Sequence, residues 1–200
     1  MNAAMTAERI DFARIAGWIK RGARVLDLGC EDGAMLSYLA EKRGAECVGV
    51  DINPANLTEC LRRGVSAVMA DINGNLPLFA DDSFDVVVLS QTLQSIRRPP
   101  PQVLAEMLRV GKEAIVSFPN FGHWRMRLQV LGGKMPTGRR LPYQWFDTPN
   151  VRYCTIRDFE ALCRTGNIQI ADRVFLSGTT ETKHLPNARA DLAIYKLAAK

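Results

Sequence analysis

The chain has 200 residues, 47% of them apolar and 24% charged. That is the composition of one ordinary globular domain with a full core, and it excludes a disordered chain or one that needs staples to fold. A formal net charge of +5 is too small to argue for a nucleic-acid partner by itself, and no apolar run approaches the roughly 20 residues of a membrane span.

No basic-then-apolar leader opens the sequence, and its five cysteines include no C-x-x-C pair, so free thiols in a reducing cytoplasm are expected. The two histidines, His123 and His184, are far apart in sequence, and no metal site is expected.

Residues 8–20 read as an amphipathic helix, with Ile15, Trp18 and Ile19 at helical spacing. Val25 to Leu28 is an apolar run of the kind a buried parallel strand shows. It leads into Gly29-Cys30-Glu31-Asp32-Gly33, after which residues 34–43 show a helical pattern that Gly44 stops. A strand, a tight turn and a helix N-terminus together bring backbone N–H groups and a helix dipole to one place. The spacing fails the dinucleotide fingerprint G-x-G-x-x-G, and no Gly-Lys-Ser/Thr follows to make a P-loop.

Residues 47–50 form a second apolar strand with Asp51 and Ile52 at its C-terminal end, Asp51 lying 22 residues beyond Gly29. Ligands of doubly wound sheets bind outside the C-terminal strand ends, so Asp51 is placed to accept hydrogen bonds from both hydroxyls of a ribose. The alternative is a turn or cap residue, because Asn53-Pro54 opens the next helix, residues 54–63. A third strand, 65–70, ends at Asp71-Ile72, placed for an adenine amino group and ring face or for a loop turn. A fourth strand, 84–89, has a core, Val86 to Leu89, that is β-branched and apolar on both faces, as in a central strand, with Ser90-Gln91 at its tip.

A Pro-rich connector leads to a helix over 102–109 and a fifth strand over 114–118. A helix follows in which Trp124, Leu128 and Leu131 recur at helical spacing. The loop over 134–153 is too aromatic for disorder and too long to be a mere connection. Thr155 and Asp158 form a capping box for a helix to Arg164, and strands over 167–175 and 190–196 close the chain. The polar connector 176–189 between them is expected to be mobile. The pattern is α/β: a three-layer sandwich on a seven-stranded, mostly parallel sheet whose last strand is antiparallel. One domain is expected over 1–200, with residues 120–153 inserted as a cap or partner surface.

Asp27, Gly29 and Gly33, then Asp51, then Asp71, at successive strand ends, resemble the class I S-adenosylmethionine (SAM) dependent methyltransferases across nearly the whole chain. Their glycine motif, D-x-G-x-G-x-G, is present with Glu31 at its middle glycine. A closer resemblance, over about residues 10–178, is to the methionine-biosynthesis MetW family. It is carried by residues 24–30 (RVLDLGC), 89–94 (LSQTLQ), 117–125 (SFPNFGHWR), 141–143 (LPY), 147–150 (DTPN) and 154–159 (CTIRDF). The resemblance implies a Rossmann-like fold and a role in methionine biosynthesis beside a homoserine O-acyltransferase. It also implies SAM or S-adenosylhomocysteine (SAH) held by Asp27, Gly29, Cys30, Gly33, Asp51, Ile52, Asp71, Ile72 and Ser90. Binding is expected to be weakened by Glu31, whose position calls for φ > 0 and whose charge opposes the ligand's carboxylate.

The chemistry leaves two readings open. A SAM enzyme needs little beyond positioning, since the sulfonium already activates the methyl group, but some acceptors also need a base. His123 is the candidate near the strand rim, and no orienting partner adjoins it in sequence. One reading is therefore a non-catalytic partner protein docking through residues 120–150. The other is an active methyltransferase on an unidentified small molecule. Between Glu113 and Asp147 the chain carries five cations and no acid, which fits either a solvated loop face or a surface for an acidic protein partner or anionic ligand, and fits RNA less well.

Overall fold

A computed structural model describes residues 3–74 and 79–199, with side chains from Ile10 onward; the expected domain boundaries at residues 1 and 200 lie outside them. The first half alternates as its periodicity dictates: α1 (Ala3–Trp18), β1 (Arg24–Leu28), α2 (Ala34–Arg43), β2 (Glu46–Asp51), α3 (Pro54–Arg62), β3 (Ser66–Met69) and β4 (Phe84–Ser90). Gly44 ends α2 in the left-handed region, its N–H returning to the Ala40 carbonyl, and Asn53 caps α3 by accepting from the Ala55 N–H.

After a single 3-10 turn at Leu93–Ser95, the second half adds α4 (Pro100–Val110), β5 (Gly111–Pro119), α5 (Trp124–Leu131), α6 (Ile156–Thr165), β6 (Ile168–Ser177), β7 (Thr180–Glu181), α7 (Pro186–Arg189) and β8 (Leu192–Ala199). The sheet order is β3-β2-β1-β4-β5-β8-β6-β7. Strands β1 to β5 pair in parallel, and β8 runs antiparallel to both β5 and β6. Eight strands stand where seven are expected. The additional one, β7, is two residues long and lies with α7 inside the connector 176–189. Gly178 turns the chain back with φ +62°, and elements this short carry no periodicity to read.

The sheet separates two cores. Leu26, Leu28, Val87, Leu89, Val116 and Phe118 face α4 and α6. Val25, Val86, Val88 and Ile115 face α1, α2 and Cys60 of α3. Alternation of one strand between two apolar layers is what makes Val86 to Leu89 of β4 read as continuously apolar. Under α6 the rings of Phe118, Phe159 and Tyr195 meet at 4.7 to 5.9 Å between centroids. The capping box at Thr155 and Asp158 is present with both reciprocal hydrogen bonds.

Helix α5 departs from the usual use of an apolar stripe. Trp124, Leu128 and Leu131 lie at helical spacing, yet all three are exposed, Leu131 to 81%, and Met126 is the residue α5 buries. The run before it is held by Asn120, which is almost fully buried. Its side-chain amide donates to the Asn187 and Ala190 carbonyls, and its oxygen accepts from the Gly122 and Ile156 N–H groups. One carboxamide thereby joins β5, α6 and α7.

Because Phe159 is 1% exposed and its ring packs on those of Phe118 and Tyr195, Phe159→Ala is expected to cost about 3–5 kcal/mol of unfolding free energy, read as a lowered urea midpoint at unchanged slope.

Candidate functional site

The strand order reverses between β1 and β4, so the carboxyl ends of these neighbours form the topological switch point. The turn after β1 is gripped from β2. The Gly29 and Cys30 N–H groups both donate to the Val50 carbonyl, at 2.7 and 3.0 Å, and the Glu31 N–H donates to Asp51 Oδ2 at 3.1 Å. The grip holds Gly29, Glu31 and Gly33 at φ of +78°, +47° and +74°. Two of these conformations are natural to glycine; the third costs Glu31 roughly 1–2 kcal/mol. The glycines are also sterically required. A Cβ at Gly29 would lie 2.7 Å from Thr92 Cγ2, and one at Gly33 would lie 2.9 Å from Cys60 Sγ.

Two cavities meet at Gly29. The larger, about 580 Å³, is lined by Asp27, Cys30, Glu31 and Asp32 from β1 and the turn, Ser90 and Gln91 from β4, and Arg140 and Tyr143 from the long loop. The smaller, about 200 Å³, is lined by Asp51, Ile52, Asp71, Ile72 and Thr92. Of the nine residues expected at a cofactor site, eight line this pair of cavities. Gly33 lines neither and instead heads α2.

Asp51 does two things with one carboxylate. Oδ2 holds the Glu31 N–H and Oδ1 the Asn53 N–H at 2.8 Å, while each oxygen retains a lone pair. The cap of α3 is Asn53, so the capping alternative for Asp51 falls to its neighbour. Asp71 accepts from both the backbone and the side-chain amide of Asn73, which makes it the head of a turn as well as a cavity residue. Ser90 Oγ lies 3.2 Å from Ser117 Oγ. The Cys30 thiol lies 3.8 Å from that of Cys60, and burial pushes both above the ordinary thiol range.

Asp27 is the most perturbed carboxyl of the site. It is 2% exposed, and its Oδ1 is buried with no hydrogen-bond partner among the described residues. Burial, and then the nearby Glu31 and Asp51 carboxylates, push it up to about 8.

His123 stands apart from these residues. It caps α5, with Nδ1 accepting from the Arg125 N–H at 3.2 Å, and it lines a different cavity with Arg125, Arg139 and Asp191. Its neighbour there, Arg140, reaches both cavities and was not singled out by the sequence reading. Arg140 forms a two-pronged pair with Asp11 of α1, at 2.7 and 3.3 Å, with both side chains buried, and Gln91 joins them. One signal was available: Asp11 shares a helical face with Ile15 and Trp18, and an acid on an apolar face needs a cation from elsewhere.

Comparison with known proteins agrees with this geometry. The model of the family described as "Methionine biosynthesis protein MetW" matches residues 9–197. The chain belongs to the MetW family. A bifunctional methionine biosynthesis protein MetXA/MetW of Rhodopirellula baltica is 35% identical over 92% of this chain, which spans 32% of that relative. A ubiquinone biosynthesis O-methyltransferase of Hahella chejuensis is 36% identical over 46% of the chain, which matches 40% of its length. This MetW-family chain has the class I SAM methyltransferase fold. A SAM-dependent methyltransferase of Mesorhizobium loti superposes with TM-score 0.71 at 16% identity, over 98% of this chain and 100% of that one. The magnesium protoporphyrin IX methyltransferase of Synechocystis, solved with bound SAH, gives 0.67 at 17%, over 98% and 84%. Among the described residues no helix is long and apolar enough to cross a membrane, and no cluster of acids, Cys and His could hold a metal ion.

A carboxyl raised on folding keeps a proton that the unfolded chain has already lost, so its contribution to stability declines as pH rises through the window between the two values. For Asp27 that window runs from its ordinary 3.8 to about 8. Asp27→Asn, neutral at every pH, is expected to gain on the parent between pH 5 and 8 by up to about 1.4 kcal/mol per pH unit, measured by urea unfolding.

Proposed function

We propose that this MetW-family chain binds SAM or SAH across the paired cavities and supports a homoserine O-acyltransferase of methionine biosynthesis. The observation that carries the reading is the meeting at Gly29 of two cavities with complementary linings. Asp51 offers its free lone pairs to the ribose hydroxyls, and Asp71 and Ile72 take the adenine. Ile52 closes the smaller cavity at its rim. Gly29 and Cys30 bring backbone close to the ligand, Gly33 shapes the turn, and Asp27 and Ser90 face the amino-acid end. Asp27 Oδ1 is an acceptor awaiting a donor, which the ligand's ammonium supplies. The bound group provides an activated methyl on a sulfonium centre.

The partner reading rests on the relative that names MetXA and MetW in one chain and on the surface of residues 120–153. In that surface Trp145 and Phe146 are each 70% exposed, Leu128, Met135 and Tyr143 are exposed as well, and no acidic residue occurs from 114 to 146. Exposed aromatics edged by cations are the composition of a docking surface for an acidic face. In this reading the segment is a cap on the cavities and the contact to the acyltransferase.

A second reading, an active methyltransferase on a small molecule, is favoured by the partial matches to a ubiquinone biosynthesis O-methyltransferase and a demethylmenaquinone methyltransferase over about half the chain. Against it stands the placement of His123, the candidate base, with Nδ1 committed at the head of α5 and outside the paired cavities. Transfer of labelled methyl from SAM to any component of a small-molecule extract, lost in Asp51→Ala, would establish this second reading.

Calorimetric titration is expected to show SAM binding that weakens at least about tenfold in Asp51→Ala. Mixed with the homoserine O-acyltransferase of the same organism, the chain is expected to co-elute and to raise its rate. Trp145→Ala with Phe146→Ala, both exposed, should abolish co-elution and leave folding intact. A rate unchanged by mixing would refute the partner role.

A further inference from the structure

The cavity that His123 lines holds about 540 Å³ and includes none of the residues assigned to the nucleoside. Its charged groups come from three segments. Arg125 lies in the first turn of α5, Arg139 and Arg140 in the long loop, and Asp191 just before β8. Asp191 is the acid among the described lining. Its Oδ2 accepts from the Gly178 N–H at 3.0 Å, and its Oδ1 lies 4.0 Å from Arg140 Nε. Arg140 is paired further with Asp11 of α1, behind the lining. Even with Asp11 and Asp191 both set against the three arginines, one positive charge is left over. Arg125 and Arg139 have no ion pair among the described residues.

The hydrogen-bond balance leans the same way. His123 Nδ1 accepts from the Arg125 N–H, so the neutral ring carries its proton on Nε2, which has no acceptor among the described residues. Burial keeps that ring below its ordinary 6.5, and so uncharged at neutral pH. The Arg125 guanidinium lies over the Trp124 ring at 5.3 Å, a contact of its face that leaves its N–H edge open. The polar neighbours add little to receive these donors. Gln129 exchanges both of its amide bonds with the Thr137 backbone, and the Asn120 carboxamide is fully used within the fold. A lining rich in donors, poor in acceptors and left positive suits an oxyanion. Pro119, Trp124, Met126 and Leu141 add apolar surface beside it. The volume falls in the range of small-molecule sites, roughly 300–1,000 Å³.

We propose that this cavity is a second small-molecule site, which takes an oxyanion, carboxylate or phosphate, on Arg125, Arg139 and His123 Nε2 and an apolar body against Trp124. It goes beyond the nucleoside reading and does not rest on it. Arg140 lines this cavity and the larger nucleoside cavity alike, so the two ligands have one arginine in common as a wall. The acid-free run of the sequence thereby acquires a use besides the display of charge to a protein partner: two of its arginines converge on one cavity.

The test is titration of the full, nitrogen-15-labelled chain with inorganic phosphate and with benzoate, a carboxylate on an apolar ring, followed by amide chemical shifts. Shifts are expected to centre on residues 123–126 and 138–141, and the tighter probe identifies the oxyanion. Arg125→Gln with Arg139→Gln, both exposed, should weaken that probe at least about tenfold at an unchanged urea midpoint. Lys134→Gln removes a cation of the same loop that does not line the cavity, and it should change nothing. SAM titration should be unaffected in all of these variants, so the nucleoside reading stands or falls separately. An equal loss in Lys134→Gln would show diffuse surface charge, and shifts centred elsewhere would show a different site; either result overturns the proposal. It is also overturned if neither probe binds. Loss of co-elution with the acyltransferase in the double arginine variant would then assign the cavity to an acidic side chain of the docked partner.

Discussion

The site depends on three N–H groups and two acceptors. Gly29 and Cys30 donate to the Val50 carbonyl and Glu31 donates to the Asp51 carboxylate, so the end of β2 decides the course of the turn after β1. Parallel pairing of β1 and β2 in register, Leu28 opposite Val50, brings those acceptors to the right height. With that grip the chain must pass through the left-handed region three times in five residues. It then delivers a carboxylate, a thiol and a helix N-terminus to one cavity. Without it the same five residues would be a loop beside a sheet. The penalty at Glu31 is sustained because the Asp51 hydrogen bond and the Cys30 and Cys60 thiols, both directed to the Glu31 carbonyl, over-determine the conformation.

The fold and the smaller cavity were legible in the sequence for a common reason. A buried parallel strand is a short apolar run, and the residues just past its carboxyl end line the rim of the sheet, so Asp51 and Asp71 of the smaller cavity, and Ser90 of the larger, could be placed by counting. The alternation of helix and strand through β5 comes from the same periodicities. Three things were not legible. The two-residue β7 has no period. The stripe Trp124, Leu128 and Leu131 has the period of a core helix, but spacing does not say whether anything covers it. Arg140 lies in a loop, where no periodicity constrains a side chain, and its partner Asp11 is 129 positions away. His123 was drawn toward the rim by sequence position after β5. The hydrogen bond from the Arg125 N–H turns it to a capping role.

The long loop is tied to the sheet by charge more than by apolar burial. Arg140 reaches Asp11 and Gln91, Arg152 donates to the carbonyls of Ile96 and Arg97, and the Val151 N–H meets the Gln94 carbonyl. The aromatics of the loop stay outside, with Trp145 and Phe146 stacked edge to face on each other at 5.6 Å. Polar anchorage inward and apolar display outward place the loop between the cavities and any docked protein. One segment thus touches both halves of the proposed function.

The Asp11–Arg140 pair also bears on the order in which the chain assembles. Helix α1 is made before the long loop, yet its buried face carries a carboxylate whose compensating cation follows 129 residues later. Docking α1 before then would bury an unpaired charge, which is strongly unfavourable. Helix α1 is therefore among the last parts to settle, although it is made before β1 and β4. Its amides should gain protection from hydrogen exchange later than those of β1 and β4 in a pulse-labelled refolding experiment. Helix α1 and the long loop close on each other, and Phe12 and Arg140 from the two form part of the wall of the larger cavity.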